Sequence, residues 1–123
     1  MPKILSCLKK RDLLHNPQVD SDHLVQYGHE YFNQGRLADA LNFFEKAKDT
    51  EGIRRIMEQS IEEGDPLLLQ QSSKLLKEVA PEEAWRKVGE KALANGRFQQ
   101  ALMAFKAVHD EEQIEKIQMM LRS

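Results

Sequence analysis

The ten residues GRLADALNFF, from Gly35 to Phe44, return as GRFQQALMAF, from Gly96 to Phe105, a spacing of 61 in a chain of 123 residues. The register holds on both sides of that match. Gly28 pairs with Gly89, Ala40-Leu41 with Ala101-Leu102, Asp49 with Asp110, Glu51 with Glu112, Ile53 with Ile114 and Ile56 with Ile117. A chain that spells one segment twice is built from a repeated structural unit, and here the unit is longer than a single pair of helices.

Within the first copy, Leu24, Tyr27, Gly28 and Tyr31 fall at helical spacing on one face. Gly35 offers a left-handed stop, and Leu37, Ala40, Leu41 and Phe44 restart the helical period. That pattern predicts a helical hairpin. Small residues at 28 and 40 let the two backbones approach while Tyr31 and Phe44 fill the space beside them. Trp85, Val88, Gly89 and Ala92, then Gly96, Phe98, Ala101 and Phe105, repeat the solution. Between the copies, Ile53, Ile56, Ser60 and Gly64, then Leu69 and Leu76 with Pro81 following, trace a weaker version of the same hairpin. Asp65-Pro66 supplies an N-cap and a first-turn proline, Pro81-Glu82-Glu83 starts the next helix, and Asp110 with Gln113 forms a capping box for a last one.

These residues resemble the tetratricopeptide repeat, whose pattern runs W-x2-L-G-x2-Y, then A-x3-F, then proline. The chain reads Leu24-x2-Tyr27-Gly28-x2-Tyr31 with Ala40-x3-Phe44, and Trp85-x2-Val88-Gly89-x2-Ala92 with Ala101-x3-Phe105. Gly52 and Gln113 stand where the closing prolines belong, and the spacing between the two clear copies exceeds the usual period of about 34. The resemblance implies an all-α fold: a right-handed stack of helical hairpins, a tetratricopeptide-like α-solenoid, with a short N-terminal arm and a C-terminal capping helix. Expected boundaries are an arm or short helix over 1–20 and one helical-repeat domain over 21–123. Its hairpins fall at about 22–48, 51–79 and 82–109, and its capping helix at 111–122, with Ile114, Ile117 and Leu121 on one stripe. Stacked repeats need such a cap, because an end hairpin otherwise exposes apolar surface. In the arm, Ile4, Leu5 and Leu8 share a face and Asn16-Pro17 ends the helix. The arm either caps the first hairpin or serves as a docking segment.

Composition narrows the function classes. Net charge is -2 with acids and bases interspersed, so no whole-protein field attracts nucleic acid or anionic lipid. The one dense basic run, Lys9-Lys10-Arg11, reads as a solvated segment. The single cysteine, Cys7, excludes an internal disulfide and a thiolate cluster within one chain, and a reducing compartment is the simplest home. The residues before Leu5-Ser6-Cys7 are too few for the apolar stretch of a signal peptide, and no segment approaches the ~18 apolar residues that cross a membrane. A cytoplasmic, soluble protein is expected.

Catalytic signatures are missing from the sequence: there is no glycine-rich phosphate loop, nucleophile elbow or HExxH helix. His23 and His29, six apart, point to different sides of a helix, and Asp20, Asp22 and His23 offer only an adventitious cation contact. Glu62-Glu63, Glu82-Glu83 and Glu111-Glu112 fall at helix ends, where solvation or capping explains them. No enzyme, catalytic residue, cofactor or metal is therefore expected.

In tetratricopeptide-like stacks the first helices line a concave groove that holds a peptide, and the resemblance places nine residues there. They are Val25, His29, Phe32 and Asn33 from the first hairpin, Arg54 and Glu58 from the second, and Arg86, Glu90 and Leu93 from the third. Arg54 with Glu58, and Arg86 with Glu90, read equally as solvated i,i+4 ion pairs. Phe32, outside the packing pattern, is either an aromatic anchor or a residue covered by the N-terminal arm. Trp85 takes the family's packing position and belongs to the core. The family members that clamp the terminal carboxylate of chaperone tails use groove lysines and asparagine, and this chain lacks the full set. The expected function is a non-catalytic protein–protein interaction scaffold or adaptor holding a peptide or protein segment. The alternatives are a self-assembling structural protein, pairing through the N-terminal apolar segment or the terminal helix, and nucleic-acid binding through the basic arm, which the mixed charge argues against.

Overall fold

The computed structural model describes residues 7–16 and 19–122, and among them it contains helices and no strand. The order is α1 (Cys7–His15), α2 (Ser21–Asn33), α3 (Leu37–Ala47), α4 (Thr50–Glu63), α5 (Pro66–Leu76), α6 (Glu82–Ala94), α7 (Phe98–Ala107) and α8 (Glu111–Arg122). The expected all-α class is found. Ile4, Leu5, the side chain of Leu8 and the stop at Pro17 lie outside the described residues. No described helix is long and apolar enough to cross a membrane.

Two backbone devices recur. Gly35, Gly64 and Gly96 all adopt positive φ, at 77°, 73° and 74°, and each sits in the turn that ends a first helix. In each turn the following amide reaches five residues back: Arg36 N–H to the Tyr31 carbonyl at 2.9 Å, Asp65 to Ser60 at 2.9 Å, and Arg97 to Ala92 at 2.8 Å. This is the Schellman closure, which satisfies a carbonyl that the helix end leaves open. Thirteen residues further on, Lys48, Lys77 and His109 are left-handed at φ 56°, and the amides of Asp49, Glu78 and Asp110 close on the carbonyls of Phe44, Ser73 and Phe105 at 2.9, 3.0 and 3.1 Å.

The chain divides into two compact units between Ile56 and Met57, part-way along α4. In the first, Asp20 caps α2 by accepting the Asp22 amide at 3.1 Å, and Leu24, Gly28 and Tyr31 are buried against α3. Leu37, Ala40, Leu41, Phe43 and Phe44 form the facing stripe of α3. Phe43 stacks on Tyr27 and Tyr31 with ring centroids 5.6 and 5.3 Å apart. A Cβ on Gly28 would stand 2.6 Å from the Phe44 ring, and one on Gly52 of α4 would also overlap it. Gly52 therefore has a packing role of its own where the resemblance leads one to expect proline. The described part of α1 docks on α3 through Lys10, whose ammonium is 2.6 Å from Asp39 and 6.0 Å from the centre of the Phe43 ring.

In the second unit, Asp65 caps α5 by accepting the Leu68 amide at 3.1 Å, with Pro66 in the first turn as expected. Leu69, Ala80, Ala84, Val88 and Ala104 form one apolar cluster, against which Met57, Ile61 and Trp85 pack. Ala92, Ala101, Leu102, Phe105, Ile114 and Ile117 form another. Gly89 faces Phe105 as Gly28 faces Phe44, with 2.7 Å left for a Cβ. The middle hairpin inverts this arrangement. Met57, seven residues before Gly64, stands where the glycine would, and Ser73, nine after, where the phenylalanine would. Their side chains touch, Ser73 Oγ to Met57 Sδ at 3.6 Å, so bulk has moved from one helix to the other. Buried Ser60, Ser72 and Ser73 are satisfied locally by the carbonyls of Met57, Leu68 and Leu69 at 2.6–2.7 Å.

Replacing Gly89 by leucine is expected to cost on the order of 1–3 kcal/mol, because the Phe105 ring must leave its rotamer or the helices must part. Truncating Phe105 to Leu in the same chain recovers part of the loss. Urea denaturation measures both, and a Gly89→Leu chain as stable as wild type would refute the wedge.

Candidate partner-binding face

Of the first-unit positions expected to face a partner, Val25, His29 and Phe32 are half-buried on α2, Asn33 is exposed at its last turn and Arg54 is exposed on α4. The structure brings His29 and Phe32 together through a residue that the sequence reading passed over, Arg55. Its guanidinium carbon lies 4.2 Å from the centre of the Phe32 ring, within cation–π range. One of its N–H groups donates to His29 Nδ1 at 3.0 Å. A guanidinium cannot accept, so His29 Nδ1 is the acceptor and the proton of the neutral ring sits on Nε2. His29 in turn meets the Phe44 ring edge-on, at 5.2 Å between centroids, which seats the cluster on the first-unit core. Phe32 is thus covered on one face by Arg55, while the described part of the arm goes to α3.

The repeat register singles out Arg54, which aligns with Val25 and Arg86, and gives no mark to Arg55. One residue on a helix is a turn of about 100°, so the neighbouring arginine points elsewhere. The doubled arginine itself, following an aromatic and a histidine at i,i+3 spacing, was the available signal.

In the second unit, Glu58 and Glu90 are exposed, and Leu93 is half-buried against the cluster formed by Ala92, Leu102 and Phe105. Arg86 is half-buried and bonds in two directions, to Glu82 at 2.7 Å and to Asp110 at 2.6 Å. The ion pair therefore forms with Glu82 rather than Glu90, consistent with the preference for the acid on the N-terminal side of an i,i+4 pair. Asp110 is shared further, accepting the Gln113 amide at 3.2 Å as the N-cap of α8. Its own amide closes on Phe105, so the expected capping box is realised in one direction only. Lys87 pairs with Glu62 at 2.7 Å, and Arg97 donates to the Glu63 carbonyl at 2.6 Å, which ties α6 and α7 to the end of α4.

Among the described residues no group of three or more His, Cys, Asp or Glu is placed to hold a metal ion. Asp20, grouped with Asp22 and His23 as a loose cation contact, is used as the α2 cap. An open depression between α1 and α3, lined by Leu14, His15, Asn42, Glu45 and Lys46, has a volume of about 490 Å³. It brings His15 near Glu45 without an enclosing wall.

The Arg86 guanidinium, and after it the Gln113 amide, holds the Asp110 carboxyl below its ordinary value, and Lys87 does the same for Glu62. A carboxyl depressed on folding contributes stability above its unfolded value of about 3.9, and that contribution is lost as pH falls through the lower folded value. Asp110→Asn keeps an N-cap acceptor and removes the charge. The fall in thermal midpoint between about pH 7 and about pH 2.5 should therefore be smaller in the variant than in wild type. Equal falls would show that the Arg86–Asp110 pair contributes nothing. Comparison of the chain with protein-family models, curated proteins and solved structures yields no match.

Proposed function

We propose that the chain is a non-catalytic protein–protein interaction module, a tetratricopeptide-like stack of helical hairpins with a right-handed sense, that takes a peptide or protein segment against the faces of its first helices. The cluster of Phe32, His29 and Arg55 is the observation that carries this reading. It combines a half-buried aromatic ring with an exposed guanidinium and an imidazole whose Nε2–H is a donor. Aromatic rings and arginine are enriched at the centres of protein interfaces. Stacking on Phe32 and bonding to His29 hold Arg55 in one orientation before a partner arrives, which lowers the ordering cost of binding. A carboxylate beside an apolar side chain is the partner chemistry that such a cluster suits. The turns that recur at Gly35, Gly64 and Gly96 support the stacked-hairpin part of the reading.

Arg86 and Leu93 are weaker candidates for partner contact than the sequence pattern suggests, since one is engaged with Glu82 and Asp110 and the other with the core. The chain's native compartment, taken as cytoplasmic on the single cysteine, belongs to the same proposal.

Affinity capture from native cell extract, at moderate and high salt, tests the reading with wild type beside a Phe32→Ala, Arg55→Ala variant of matched helicity and thermal midpoint. A protein retained by wild type at both salts, and reduced at least about tenfold in the variant, is the expected result. Equal retention by the two proteins would remove the cluster from the binding face. Nucleic acid lost at high salt would redirect the function to the basic arm.

A further inference from the structure

The guanidinium of Arg55 is held at two points, the face of the Phe32 ring, 4.2 Å from its centre, and Nδ1 of His29, 3.0 Å away. The two contacts differ in what they tolerate. A phenyl ring takes a cation at any pH, whereas an imidazole nitrogen accepts a hydrogen bond only while it is bare. A proton on Nδ1 turns that acceptor into a donor and gives the ring a positive charge. Two N–H groups then face each other between two cations, and the bond is lost.

Among the described residues no neighbouring carboxylate offsets that contact. On α2 the side chains one turn from His29 are Val25, Gln26, Phe32 and Asn33, which carry no charge. From α3 His29 meets Phe44, while the charged residues of that helix are engaged elsewhere: Asp39 pairs with Lys10 and Arg36, and Glu45 and Lys46 line the depression beside α1. From α4 it meets Arg55 itself, and Glu51, one turn earlier on that helix, forms no ion pair with either of them. Glu30 and Arg54, each next in sequence to one of the pair, point about 100° away on their helices. The charge on His29 is therefore felt first by Arg55.

We propose that His29 is a proton-operated latch on the partner-binding face: with Nδ1 bare it holds Arg55 flat on Phe32, and with Nδ1 protonated it releases the guanidinium and weakens binding of the partner. This rests on the functional reading of the Phe32 cluster and names the condition that controls it. Histidine is the side chain whose charge changes between about pH 5 and about pH 8, so binding is strong at the upper limit and weak at the lower. Loss of a hydrogen bond from a charged donor corresponds to about a tenfold change in affinity.

Nuclear magnetic resonance of the full chain tests the latch without a partner. At about pH 7.5 the His29 ring should carry its proton on Nε2, and the Arg55 Nε–H should be shifted upfield by the Phe32 ring; Phe32→Leu removes that shift and so assigns it. At about pH 5 the shift should collapse in wild type. It should persist at both pH values in His29→Asn, whose Oδ1 replaces Nδ1 as acceptor and takes no proton. A ring protonated on Nδ1 at the higher pH, or an Arg55 shift that survives protonation of His29, overturns the proposal. Affinity capture from native cell extract then reads the consequence: the protein retained by wild type at about pH 7.5 should fall about tenfold at about pH 5 and stay on His29→Asn at both. Equal retention by wild type at the two pH values also overturns the latch as a control of binding. Wild type that captures no protein at either pH removes the functional reading instead, and the spectra decide the latch independently.

Discussion

The contact on which the α2–α3 and α6–α7 pairs depend is a phenylalanine ring laid on a glycine. Phe44 on Gly28 and Phe105 on Gly89 set how closely α2 meets α3 and α6 meets α7, because no side chain stands between ring and backbone. Close approach in turn decides which residues can be core. Phe43 reaches the two tyrosines of α2, and Ala101 and Leu102 reach Ala92. In the first unit Gly52 closes the other side of Phe44, so the ring is held from two helices at once and cannot swing away from an added atom.

Much of this was legible in the sequence because the determinants are local. A glycine with φ near 75°, an aspartate before a proline and an apolar residue every third or fourth position act over one or two helical turns: Gly35, Gly64 and Gly96 stand just after α2, α4 and α6, and Asp65-Pro66 starts α5. Contacts that depend on helix phase were not legible. Arg55 rather than Arg54 meets Phe32, and a sequence pattern does not resolve adjacent positions on a helix when both are arginine. Arg86 offered carboxylates at i−4 and i+4, and its choice became clear only once Asp110, from beyond α7, arrived on the same side. The stripe of α8 was half legible: Ile114 and Ile117 are buried as its spacing predicts, while Leu121, equally periodic, is not.

Charge in the second unit works mainly as fastening. Lys87, Arg97 and Arg86 each join segments that the apolar clusters also join, through contacts of 2.6–2.7 Å with Glu62, the Glu63 carbonyl, and Glu82 with Asp110. These groups are largely solvated, so their value lies more in fixing helix orientation than in added stability. The Arg55 cluster differs in kind. Its cation is exposed and rests on a ring and an imidazole rather than on a carboxylate, which leaves its charge uncompensated by the two groups that hold it.

The exchange of bulk in the middle hairpin bears on how such a chain can change over time. Glycine facing phenylalanine and Met57 facing Ser73 are two answers to one steric problem, and they differ at both positions. A route between them through single replacements passes either through glycine facing serine, which opens a void, or through methionine facing phenylalanine, which overfills the same space. Each residue is acceptable only in the company of the other. Selection on either site is thus conditional on its neighbour across the helix pair, and the two hairpin types should be inherited as coupled pairs, with small intermediates such as alanine as the passable bridge.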